Sequence, residues 1–264
     1  MNPWNPHPDP PASLSINQGD IFELGPNSVW IVVDDFHNTS ERHPLVHCAP
    51  ILSLSDAFLP LDVYLSVGVR GPEAQPRESL QQELSLPPTP SLRGSYAELG
   101  LIRRLKKTEL HAPLATAHPE VMNRIRRNLV TWFSLFTMVD LTSSVRLSAP
   151  TGPPSLFPGT ITRAEGRLVC VIDHWGCFNS YPLLYVAPLE TDALDLCPLD
   201  VEITEEFQDL FSKRNFVRTD EFFLVDRNRI EASSSPPIRV LRYGLLRKIS
   251  RALVLKFGQK SLLL

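Results

Sequence analysis

Apolar residues along this chain fall in short runs whose period changes twice, in the same order each time. The run at 29–33 (VWIVV) is continuous and β-branched, the signature of a buried strand. At 61–66 the pattern alternates, with Leu61, Val63 and Leu65 on one face and Asp62, Tyr64 and Ser66 on the other. Residues 20–24, 44–51 and 96–105 also read as strands. At Pro119 the period becomes helical. Pro119 suits a first helical position and Glu120 the positive end of the helix dipole. Val121, Ile125, Leu129 and Trp132 then form an apolar stripe that leaves Arg124, Arg126 and Arg127 off it. The succession repeats: strands at 160–162, 168–172, 183–189, 199–204 and 222–225 precede a helix over 241–257, with Leu245, Ile249 and Leu253 inward. Short strands first and a helix last predict small β-barrels, each closed by a C-terminal helix, in a mainly β (α+β) chain.

The recurrence extends to residue identities. Residues 43–63 (HPLVHCAPILSLSDAFLPLDV) align without a gap to 181–201 (YPLLYVAPLETDALDLCPLDV), with eight identical positions, among them Pro44/Pro182, Ala49/Ala187, Pro50/Pro188 and Pro60–Val63/Pro198–Val201. Residues 121–133 align likewise to 245–257 through Ile125/Ile249, Arg127/Arg251, Leu129/Leu253, Val130/Val254 and Phe133/Phe257. A period above about 100 residues is too long for a solenoid unit and predicts two whole domains of one fold. We place them at 17–142 and 159–260. A proline-rich tail (1–16) precedes them, a linker (143–158) joins them, and an insertion rich in proline (67–93) interrupts the first.

Charge divides the chain the same way. The net charge is −8 over residues 1–92, +5 over 93–127, −8 over 128–212 and +8 over 213–264, so the formal total of −3 conceals a strongly segregated field. The tail lacks the basic start and apolar core of a signal peptide, and no apolar run is long enough to span a bilayer. Cys48, Cys170, Cys177 and Cys197 form no paired framework, the pattern of reduced thiols in a cytoplasmic protein. Cys170 and Cys177 with His174 between them match no standard zinc spacing; neither a metal nor a cofactor is expected.

Several segments resemble the MazF/PemK toxin family. Gly19-Asp20-Ile21-Phe22 is similar to its "GD-V/I-aromatic" opening and residues 46–52 (VHCAPIL) to its "APIT" strand. Residues 60–65 (PLDVYL) are similar to "P-x-x-V-x-L", 101–110 (LIRRLKKTEL) to "QIRTIDKxRL", and 119–129 to its final helix. The second half carries a weaker version at Gly159-Thr160, Ala187-Pro188-Leu189, 198–203 and 245–253. The resemblance implies two tandem SH3-like barrels packed as an intramolecular pseudo-dimer, so a monomer. It further implies a toxin–antitoxin or related defence context, with RNA or an acidic antitoxin-like protein as partner.

The chain departs from the family where cleavage is done. The resemblance implies an Arg-Pro at the start of the second strand and a Thr after "API"; the chain has Asn27-Ser28 there, and Leu52 or Glu190 at the Thr position. In the second half Arg167 and Glu190 are the candidate replacements, a guanidinium and a carboxylate suited to phosphate and proton work on RNA. Asp173 and His174, with Asp34, Asp35 and His37 as first-half counterparts, are further catalytic candidates at strand exits, where turn chemistry also favours these residues. His43 and His47 align with Tyr181 and Tyr185, which points to packing. Arg103, Arg104, Lys106 and Lys107, with Arg227 and Arg229, are the candidate nucleic-acid contacts, and Arg124, Arg126, Arg127, Arg239, Arg242, Arg247, Lys248 and Arg251 extend the basic stripe. Without the family's Arg and Thr, a binding module that does not cleave is the first reading. A single-strand endoribonuclease with a rebuilt second-half site is the alternative.

Overall fold

The computed structural model describes residues 16–26, 28–35, 44–53, 61–65, 69–70, 95–133, 156–178, 181–206, 213–232 and 239–258. The proline-rich tail, nearly all of the insertion and of the linker, and His37 and His43 therefore lie outside the described residues.

The first half contributes β1 (Asp20–Glu23), β2 (Val29–Val32), β3 (Leu45–Ser53), β4 (Val63–Tyr64), β5 (Val69–Arg70), β6 (Ser95–Ala97), β7 (Arg103–Lys106), β8 (Ala115–Ala117) and helix α1 (Pro119–Phe133). The second contributes β9 (Thr160–Ala164), β10 (Arg167–Val171), the short α2 (His174–Phe178), β11 (Leu183–Thr191), β12 (Val201–Glu202), β13 (Asn215–Val217), β14 (Phe223–Asp226), α3 (Arg227–Ala232), β15 (Arg239–Val240) and α4 (Tyr243–Lys256). Each set curls into one antiparallel sheet. The orders are β4-β6-β3-β2-β1-β8-β5, with β7 also on β3, and β12-β13-β11-β10-β9-β15, with β14 also on β11. Strand for strand the connectivity is the same; β5 alone has no counterpart among the described residues.

The repeated residues sit where this geometry needs them. The first part of β3 pairs with β7, from Leu45↔Lys106 to Cys48↔Arg103, and its last part with β6, from Ile51↔Ala97 to Ser53↔Ser95. Pro50 lies at the changeover, where a missing N–H interrupts no ladder bond and its carbonyl accepts from Glu98 N at 3.0 Å. Pro188 does the same in β11, accepting from Arg218 N at 2.9 Å. Gly19 and Gly159 open the two sheets at φ 91° and 83°. A Cβ on Gly159 would lie 2.3 Å from Leu246 Cδ2, and one on Gly19 3.2 Å from Met122 Cγ, so each glycine lets its own helix close down on the sheet.

The halves share one core, and their contacts are reciprocal. Residues of both sheets and both long helices belong to a single buried apolar cluster. α1 packs on α4, and Phe133 and Phe257, equivalent in the repeat, stack with centroids 5.4 Å apart. Tyr185 reaches from β11 into the first half, accepting from Ile102 N (2.8 Å) and donating to Leu99 O (2.7 Å). Its counterpart His47 reaches from β3 into the second half, with Nε2 3.3 Å from Phe222 O and its ring stacked on Phe222 at 4.1 Å.

The structure differs from the sequence reading in several elements. The strand expected over 96–105 is two strands, split by a 3-10 turn at Leu99–Leu101 that moves the chain from one part of β3 to the other. The second half shows the same break at Thr219–Glu221. The strands at β13, β8 and β15 are two or three residues long, too short to show a period. The turn after β10 winds into α2 because Asp173 accepts from the Gly176 amide at 2.6 Å.

Candidate nucleic-acid interface

The strand-exit aspartates Asp34 and Asp173 are wholly buried and do equivalent work. Asp34 accepts from His47 N at 2.7 Å and Asp173 from Tyr185 N at 3.0 Å, each tying the chain after β2 or β10 to the next strand. Their remaining partners differ. Asp34 lies 2.8 Å from His47 Nδ1 and 3.5 Å from Nζ of Lys256, which is itself wholly buried and comes from the other half. Burial opposes the charge on Asp34, but His47 and Lys256 outweigh it and hold the carboxyl well below its ordinary range. Burial pushes His47 down against the pull of Asp34. At Asp173 burial prevails over two backbone N–H bonds, the Trp132 indole and Arg227, and the carboxyl is pushed up to about 7. Both aspartates are thus fastened inside the protein, and His174, at the start of α2, is half-buried and pushed down by burial.

Arg167 and Glu190 do not act on each other. Arg167 is exposed at the start of β10, and no side-chain hydrogen bond or ion pair joins it to Glu190 among the described residues. Glu190 is taken by Arg218, a residue the sequence reading passed over, to which it is bonded at very short range. The Arg218 side chain is only 2 % exposed. Its Nε lies 2.9 Å from Asp200 Oδ2, an ion-pair contact without the alignment of a hydrogen bond; Nη2 lies 3.0 Å from Glu221 and Nη1 3.5 Å from Asp195. Four carboxylates around one guanidinium leave the surroundings acidic. Burial, with Asp220 adding to it, pushes Asp200 up to about 7 against the pull of Arg218. The ladder step from Asn215 to Thr219, equivalent to Ser95–Leu99, carries the signal that would have found Arg218, since it takes the place of Glu98 beside the conserved carbonyl of the proline.

The candidate nucleic-acid contacts separate into engaged and open groups. The Arg227 guanidinium donates to Tyr181 O (3.1 Å), Gly176 O (2.9 Å) and Cys177 O (3.3 Å), closing the C-terminal end of α2. Arg229 faces Glu165 at 3.9 Å and Arg104 faces Glu221 at 3.4 Å across the halves. Lys106 lies 3.9 Å from Glu109, and Lys107 is half-buried, pushed down by desolvation against the pull of Asp34. Arg103 is exposed. On the helices, Arg126 donates to Gln18 at 2.8 Å. Arg124 and Arg127 of α1, with Arg247 and Arg251 of α4, are exposed on the outer faces and have no ion pair with a carboxylate among the described residues, whereas the exposed Lys248 lies in the field of Glu202.

Among the described residues no group of His, Cys, Asp and Glu could hold a metal ion, and no helix is long and apolar enough to cross a membrane. The four cysteines are buried free thiols. No protein-family model matches the chain, and no curated protein matches it.

Proposed function

We propose that the chain is a diverged, covalently joined pseudo-dimer of MazF/PemK-type barrels that binds single-stranded nucleic acid without cutting it. The observation that carries the reading is the open cation set on the outer faces of α1 and α4: Arg124, Arg127, Arg247 and Arg251. Cations without carboxylate partners keep their full attraction for phosphate and give a binding strength that falls with salt. Aromatic help is at hand in Tyr243, 64 % exposed at the start of α4, since a ring of this kind can stack on an unpaired base.

Absence of cleavage follows from the acidity of the second-half site. Attack by a ribose 2′-OH builds negative charge at the phosphorane, which needs positive charge aimed at it. Arg218 is enclosed by Glu190, Asp195, Asp200 and Glu221, so that site repels a phosphate. The toxin–antitoxin context rests on the family resemblance alone. The test combines a labelled single-stranded RNA with the full chain at low salt and follows both binding and RNA length. Binding to intact RNA that is lost in the Arg124→Glu, Arg127→Glu, Arg247→Glu, Arg251→Glu variant is expected. Cutting of the RNA that Glu190→Gln or Arg218→Ala abolishes would overturn the non-cleaving reading.

A further inference from the structure

Asp200 and Asp220 bring two carboxyl groups to one buried place in the second half. The Asp200 side chain, just before β12, is 1 % exposed. Its Oδ2 accepts from Cys197 N at 2.8 Å and lies 2.9 Å from Arg218 Nε, while its Oδ1 is buried with no hydrogen-bond donor among the described residues. Asp220 stands in the 3-10 turn Thr219–Glu221, is buried, and sets its carboxyl against that of Asp200. Two buried carboxyl groups in contact do not both ionise readily, so one proton stays between them. The surrounding charges do not remove that need. Glu190 of β11, Asp195 of the following loop and Glu221 of the turn share the single guanidinium of Arg218 with Asp200. Arg104 of β7 turns to Glu221, and Lys256 of α4 lies between Asp34 and the Asp220 carbonyl. Burial pushes the Cys197 thiol up to about 11, so it carries no charge at neutral pH. The first half has no such pair. Gly100 stands in the place of Asp220, Glu98 in that of Arg218, and Asp62, equivalent to Asp200, accepts from Leu99 N at 3.0 Å.

We propose that Asp200 and Asp220 form a one-proton latch on the joint between the halves, closed in mildly acidic conditions and released as pH rises to neutrality. The turn that carries Asp220 touches the joint twice. Its Asp220 carbonyl lies 3.4 Å from Nζ of Lys256, the buried partner of Asp34 in the first half. The residue after the turn, Phe222, stacks on His47 at 4.1 Å and meets Phe133 at 5.4 Å. When the shared proton leaves, two carboxylates repel where water does not reach, and the turn moves outward to hydrate them. The sign follows from the direction of the shift. Burial, with Asp220 adding to it, pushes Asp200 up to about 7. The closed turn therefore holds an extra proton between the unfolded carboxylate value of about 4 and about 7, and its closure weakens as pH rises through that window. None of the cations proposed to hold RNA belongs to this cluster, so either reading can fail without the other.

The test follows amide hydrogen exchange in the full chain from pH 5 to 8, corrected for the intrinsic rate, and compares 215–221 with its repeat partner 95–101. Opening of 215–221 should rise about tenfold per pH unit up to about 7 and then level off, the mark of one proton released. The stretch 95–101, with Gly100 in place of Asp220, should stay flat. The Asp35 amide, which donates to Lys256 O at 2.9 Å across the joint, should follow 215–221. Asp220→Asn offers Asp200 an uncharged donor and should keep 215–221 closed throughout. Asp220→Gly, the residue the first half uses, removes the carboxyl outright and should flatten the profile as well. Asp173→Asn should leave the profile as in the unmodified chain, which separates the latch from the other buried aspartate with a raised value. A flat profile in the unmodified chain, or a slope that both Asp220 variants keep, would overturn the proposal. So would equal slopes in 215–221 and 95–101, or an Asp35 amide indifferent to pH.

Discussion

Lys256 is the residue on which the joint between the halves turns. It is wholly buried, 3.5 Å from Asp34 Oδ1 and 3.4 Å from Asp220 O, and its counterpart in the other half is Trp132. Removing one partner of a buried pair leaves the other charge uncompensated, a loss of about 3–5 kcal/mol. Asp34→Asn is therefore expected to lower stability in denaturant titrations by about that much, and Asp34→Asn with Lys256→Met to recover most of it. Equal losses in single and double variants would contradict the pairing. The two buried aspartates also give opposite pH dependences. The folded value of Asp34 is depressed, so its contribution is complete above the unfolded carboxylate pKa of about 4 and is lost as pH falls toward the folded value. The folded value of Asp173 is raised to about 7, so the folded state holds an extra proton between about 4 and 7 and stability declines as pH rises through that window. Asp173→Asn should flatten that decline in melts taken from pH 4 to 8. A slope unchanged in the variant would mean that Asp173 is already ionised across the window. The sequence placed both aspartates at equivalent strand exits, but it gave no sign that one would meet a lysine and the other an indole, because those partners come from the far half.

At the scale of elements, the proline changeovers and the glycine starts were legible because each leaves an identical residue in both halves. Pro50/Pro188 and Gly19/Gly159 are backbone requirements, and backbone requirements outlast side-chain drift. The short strands and α2 were not legible. They form because a neighbouring strand or a capping carboxylate holds them, not because their own two or three residues favour them. The glycines support a graded prediction. Both positions have a left-handed φ, but Gly159→Ala adds an overlap at 2.3 Å with the Leu246 Cδ2 methyl, whereas Gly19→Ala meets the more flexible Met122 side chain at 3.2 Å. Gly159→Ala should cost about 2–3 kcal/mol and Gly19→Ala about 1 kcal/mol, compared by denaturant midpoint. The reverse order would show that α4 is not seated on Gly159 as described.

For the whole molecule, a core continuous across both halves should unfold as one unit. Phe133 touches Tyr185, Phe222 and Phe257 of the second half with centroid distances of 5.1, 5.4 and 5.4 Å. Phe133→Ala is expected to cost about 3–5 kcal/mol and to shift a single thermal transition down. Two separate transitions in the unmodified chain would contradict the shared core. The charge map was legible as a stripe but not as a surface, since Arg227 and Arg104 look identical in sequence to Arg247 and differ only in the carbonyls and carboxylates folded against them. That sorting leads to the central claim, which a salt titration of RNA binding tests most directly. For single strands the slope of log affinity against log salt is about −0.7 per phosphate neutralised. Reversing Arg124, Arg127, Arg247 and Arg251 to Glu in the full chain should flatten the slope by about 3. Reversing Arg227 and Arg229 should leave it nearly unchanged in protein that remains folded. A slope indifferent to the helix reversals, or binding with no salt dependence, would contradict the account.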